Sequence, residues 1–206
     1  MKTLSIKAYS FNELSKEAQE RAIKVTGETL SDQYLFGYNY QAKEESQETL
    51  ESLGFEGVKI YLSGFNLQGD GACFICDSCD LDKLINTLFP KYKRLIPFCK
   101  EGIITCKIEH NHRYYHERST DISLDFHYSC WESYPNADKL CDSLRDEFYT
   151  WYYDFCKDIY RNCEKEYDFI YSESFQKELI VNREDEILFD TFGNEIETWK
   201  FEDDEN

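Results

Sequence analysis

Proline is scarce in this chain, with three residues in 206, so few points force a helix or strand to break. Long apolar runs are absent. Nothing approaches the roughly 18 consecutive apolar residues of a membrane span, which excludes a transmembrane reading. Met1 to Ser10 lacks both an apolar stretch of signal-peptide length and a small-residue cleavage site, so the chain reads as cytoplasmic from its start. Positive charge is also in short supply. Lys and Arg number 23 against 41 Asp and Glu, giving a net charge of −18 and a pI near 4.6. Such a field repels nucleic acid and anionic membranes, so neither is an expected direct partner. It attracts cationic surfaces, including the phosphate-binding grooves of nucleic-acid enzymes.

What is present is apolar and aromatic. Hydrophobic residues make up 41% and aromatics 17%, with 16 Tyr and 15 Phe, enough to bury a core and exclude wholesale disorder. Nine cysteines, an odd number without a secretion signal, read as free thiols of a reducing compartment. The charge is uneven: Asp138 to Asn206 holds 21 acidic and 8 basic residues, net −13, leaving −5 for residues 1–137.

The patterning predicts a single α+β domain over 1–206, with a small antiparallel sheet packed against helices. Lys2 to Ala8 alternates loosely as a short strand. Ser15 caps a helix over Lys16 to Val25, and a second helix runs from about Asn39 to Leu53 with Gly54 at its C-terminal cap. Gly57 to Phe65 and Ala72 to Cys76 form a hairpin around a turn at Asn66 to Gly71. Asp80 caps a short helix through Leu88, which Pro90 stops; a loop or helical turn follows before Pro97 and the next sheet segment. Ile103 to Ile108 and Ile122 to Tyr128 are strand-like. From Ala137 to about Tyr171, apolar residues at steps of three and four predict one helix of about 30 residues. This helix belongs to an acidic C-terminal third, about 137–200. Ser174 to Val181 reads as a further helix, Glu186 to Phe192 as a short strand, and 202–206 as a frayed acidic tail.

The most distinctive string is Ser63-Gly64-Phe65-Asn66-Leu67-Gln68-Gly69-Asp70-Gly71-Ala72-Cys73-Phe74. Asp70-Gly71 suits a tight hairpin turn with positive φ, and Gln68 and Asp70 are placed to bond the turn's own amides. Gln68, Gly69, Asp70 and Gly71 therefore form either a structural turn or a contact loop. The string lacks the Gly-Lys-Ser/Thr ending of a P-loop and leads into a strand, which also excludes a dinucleotide fingerprint. It resembles a family of small bacteriophage and mobile-element proteins. The resemblance extends to Phe11, Leu14, Ala18 and Ala22 near the N-terminus, and to Tyr114-Tyr115-His116-Glu117 in mid-chain. It touches roughly residues 8–130. The resemblance implies a counter-defence role, of anti-CRISPR or antirestriction type, or an antitoxin role; it carries over no catalytic residue.

Three site hypotheses follow from residue chemistry. In the first, Asp146, Glu147, Asp154 and Asp158 of the long helix stand in for phosphates against a basic protein surface, with Trp151 and Tyr152 as aromatic anchors. The partner is a nucleic-acid-binding nuclease or a toxin, and no cofactor is required. In the second, Cys73-x-x-Cys76-x-x-Cys79 with Cys99, Cys106 or a histidine such as His112 has zinc-like spacing. Buried free cysteines acting as small hydrophobes explain the same residues. His110, His112, His116 and His127 all fall within 18 residues. In the third, Asp70, His112 and His116 form a metal-assisted hydrolase site, although no serine elbow, zincin, kinase or deaminase string is present.

Overall fold

The computed structural model describes residues 7–110, 112–126 and 137–196. Helix α1, Lys16–Ala22, starts where Ser15 accepts a hydrogen bond from the Ala18 amide at 3.3 Å. The sequence pattern ends this helix at Val25. The chain instead passes through a π-helical turn, Ile23–Gly27, into α2, Glu28–Phe36, because no proline or left-handed residue interrupts it. Helix α3, Gln41–Ser52, ends at Leu53, with Gly54 (φ 103) in the left-handed position beyond the cap.

Strands β1 (Phe55–Glu56), β2 (Lys59–Leu62), β3 (Ala72–Ile75) and β4 (Ser78–Cys79) fold back on one another. β2 pairs antiparallel with β3, Ile60 opposite Phe74, and β1 pairs with β4, Phe55 opposite Cys79. Asp80 accepts from the Lys83 amide at 3.0 Å and starts α4, Leu81–Leu88. Pro90 opens a 3-10 turn, Pro90–Leu95. Pro97, expected to lead into the sheet, lies in the first turn of a short helix α5, Ile96–Lys100, where its missing amide costs nothing. β5 (Ile104–Glu109) and β6 (Asp121–Phe126) form a second hairpin in full register from Ile104↔Phe126 to Glu109↔Asp121.

Helix α6, Ala137–Ile170, has 34 residues and a length of about 50 Å. Ser172 caps α7, Glu173–Val181, by accepting from the Phe175 amide at 3.4 Å. The expected strand at Glu186 to Phe192 shrinks to β7, Leu188–Phe189, paired with β8, Glu195–Ile196, around Gly193 (φ 81). The fold is α+β, as expected. Its strands form four antiparallel pairs rather than one sheet among the described residues. Most of the Lys2 to Ala8 strand, His127, Tyr128, Cys130 and the 202–206 tail lie outside the described residues.

The chain divides into two compact units, one of residues 39–164 and one of residues 1–38 with 165–206. In the first, Leu50, Phe55, Phe74, Leu84, Leu144 and Phe148 are buried in one core. α6 contributes Cys141, Leu144, Phe148, Tyr152, Cys156, Ile159 and Cys163, a stripe at steps of three and four. Each fully buried Leu or Phe stabilises by about 1.5–3 kcal/mol. The helix is also tied to β6, with Tyr149 Oη donating to the Ile122 carbonyl at 2.8 Å and Arg145 Nε to the Leu124 carbonyl at 3.1 Å. The second unit closes over Phe11, Ala22, Ile180 and Phe189, with Tyr9 and Phe189 exchanging backbone hydrogen bonds. No described helix is long and apolar enough to cross a membrane.

Candidate interaction site

The stripe that buries one side of α6 leaves its carboxylates on the other. Asp146, Asp154 and Asp158 are exposed, as expected. Asp142 shares this face and the same four-residue spacing, a signal legible in the sequence but missed above. Three of these carboxylates make local ion pairs three residues on: Asp142 with Arg145 at 2.7 Å, Asp154 with Lys157 at 3.8 Å, Asp158 with Arg161 at 3.5 Å. Glu147 is engaged within its own unit. It accepts from Lys91 Nζ at 2.5 Å and Tyr92 Oη at 2.9 Å, and these bonds, Lys91 first, hold its carboxyl below the usual range.

The aromatic anchors require correction. Tyr152 is 0% exposed. Its hydroxyl donates to the Phe74 carbonyl at 2.9 Å, accepts from the Phe74 amide at 3.3 Å and pairs with Thr120 Oγ1 at 3.0 Å. It fastens the hairpin to the helix and touches no solvent. Trp151 is half-buried, stacked on Phe55 at 5.9 Å and 4° and on Phe148 at 5.7 Å. The dense run of Tyr, Trp and Phe covers the β1–β4 face, which lies on more of the helix circumference than one narrow stripe.

The Ser63–Phe74 string meets the Tyr114–Glu117 string. Asp70 Oδ2 accepts from the Asn66 and Leu67 amides at 2.9 and 2.7 Å, so this carboxylate shapes its own loop. Positive φ falls on Gly69 (φ 96) rather than on Asp70-Gly71, because the connection is a longer loop closed between Ser63 and Gly71. Ser63 Oγ accepts from the Gly71 amide at 2.7 Å and lies 3.4 Å from the Tyr115 carbonyl. Gly71 is there for close approach: a Cβ would stand 3.2 Å from His116 Cα and 3.4 Å from the Tyr115 carbonyl. On the outer side, Tyr61 stacks on Tyr115 at 4.9 Å and 6°, with His110 5.0 Å from Tyr115. Gln68 and Tyr114 are exposed.

Each member of the hydrolase trio faces a partner outside the trio. Asp70 is committed to its loop, His112 Nε2 faces Asp121 at 3.3 Å, and His116 Nδ1 faces Glu117 at 3.3 Å. Of the zinc-spaced cysteines, Cys73 parts from the others, whereas Cys76 and Cys79 both lie near Cys106. Cys73 is buried beside Thr120 and the His116 backbone, and its burial pushes its thiol up. Cys79 sits by Cys106, and that thiol hydrogen bond followed by burial raises it. Burial, with Cys106 and Asp77 adding, pushes Cys76 up to about 12; burial and then Asp82 push Cys99 up to about 12. These thiols are protonated at neutral pH, which suits small apolar side chains. Among the described residues no group of three or more His, Cys, Asp and Glu stands where it can hold a metal ion.

No curated protein and no solved structure matches this chain. Residues 38–173 match the family described as a domain of unknown function (DUF8835), and since that is most of the chain, the protein belongs to this family.

Proposed function

We propose that the protein is a phage-type inhibitor that binds a basic, nucleic-acid-handling surface of a host defence nuclease, with carboxylates of α6 standing in for phosphates. The exposed face bearing Asp142, Asp146, Asp154 and Asp158 carries this reading. A helix rises about 6 Å in four residues, so these groups span about 24 Å. That equals about seven rises of 3.4 Å measured along the DNA axis. Three of the four make exposed ion pairs, each worth about 0.3–0.5 kcal/mol. A partner's arginines can replace those pairs at little cost. The aromatic side chains of α6 that face the core leave the contact mainly electrostatic. The strings shared with phage and mobile-element proteins support a counter-defence role over a housekeeping one.

The test is phage plating on hosts carrying a CRISPR nuclease or a restriction enzyme. Expression of the protein is expected to restore plating, and the variant D142N/D146N/D154N/D158N to lose that effect while still folding. Unchanged plating on both hosts would sink the proposal. Rescue of growth from an adjacent toxin, with both defences intact, would instead make the protein an antitoxin, the second role the resemblance implies.

A further inference from the structure

A second feature lies in the unit formed by residues 1–38 and 165–206. A pocket of about 330 Å³ opens there between the π-helical turn and the start of α7. Glu20, Glu28 and Glu173 line it, with Lys24, Tyr171 and Gln176. Three carboxylates against one ammonium leave it a net −2.

Acidic side chains at a surface do not make a site by themselves; Gln176 is the separate observation. It is 6% exposed, and its side-chain amide has no hydrogen-bond partner among the described residues. Gln176 lines the pocket, so a group bound there can meet its amide. The backbone is shaped to seat it. A Cβ on Gly27 would stand 2.9 Å from Gln176 Cβ, so only glycine in the π-helical turn lets this stem pass. π-Helical turns occur often at functional sites. Tyr171 supplies an aromatic wall, its own hydroxyl spent on Asp32.

We infer that this pocket binds a guanidinium group. A neutral amide and three carboxylates lining one pocket call for a cation with several donors at fixed angles. Guanidinium offers five in a plane and also stacks on aromatic faces. An ammonium is a compact point charge and fits less of this set. The group has two possible sources, a free small molecule or an arginine side chain of another protein.

Titration calorimetry on the whole protein tests this with three probes: agmatine, the capped peptide acetyl-Gly-Arg-Gly-amide, and cadaverine as an ammonium control. Agmatine or the peptide is expected to bind saturably and at least about tenfold tighter than cadaverine, the factor expected for one well-made charge-assisted hydrogen bond. Agmatine ahead of the peptide assigns a free ligand; the reverse assigns an arginine of a protein. Gln176→Leu is expected to weaken the preferred probe about tenfold. Should that variant misfold, the exposed pair E28Q/E173Q is expected to do the same. No saturable binding, equal affinity for cadaverine, or unchanged affinity in both variants would each overturn the inference. None of these outcomes depends on the α6 carboxylates.

Discussion

Tyr152 shows how a single hydroxyl joins two elements. It binds both backbone groups of Phe74 and the Thr120 hydroxyl from a fully buried position on α6. Tyr152→Phe keeps the ring against Phe74 but leaves those polar groups without that partner. Each buried unsatisfied group costs about 1–3 kcal/mol. The expected outcome is a lower urea midpoint by a loss in that range, with the m-value unchanged and partner binding unaffected at saturation. An unchanged midpoint would mean that the hairpin finds other partners for Phe74.

At the level of elements, Glu147 links α6 to the 3-10 turn Pro90–Leu95 through Lys91 and Tyr92. Its carboxyl is held below the usual value in the folded protein. A depressed carboxyl contributes stability that is present above its unfolded pKa and lost as pH falls through the folded one. Wild type is therefore expected to exceed Glu147→Gln in denaturant midpoint at pH 7, with the gap closing as pH drops below about 4.5. A gap that persists at pH 3 would show that geometry, not charge, makes the link. The pair is exposed, so the effect is small. The rest of α6 is held by its buried stripe.

For the whole molecule the net charge of −18 sets the range of the field. The Debye length is about 8 Å at physiological ionic strength, so salt screens all but close contacts. Affinity for an inhibited nuclease is expected to fall steeply with salt in a log–log plot. The D142N/D146N/D154N/D158N variant is expected to flatten the slope. Salt-independent affinity would rule out phosphate mimicry and leave packing as the source of binding.

The linear chain already determined the local elements. The Ser15 and Asp80 caps, the turn-rich break before Ala72 and the steps of three and four along α6 each act over a few residues, and each produced the element it signals. The carboxylate face of α6 was legible for the same reason, since helical spacing alone places those groups. Tertiary packing decided the rest. Whether Tyr152 faces solvent or core depends on β3, nearly eighty residues away. The meeting of Gly71 with His116, the parting of Cys73 from Cys79, and the seating of Gln176 over Gly27 are contacts between distant segments. Spacing carries no record of such contacts, because they arise only when separate elements compete to bury the same apolar surface.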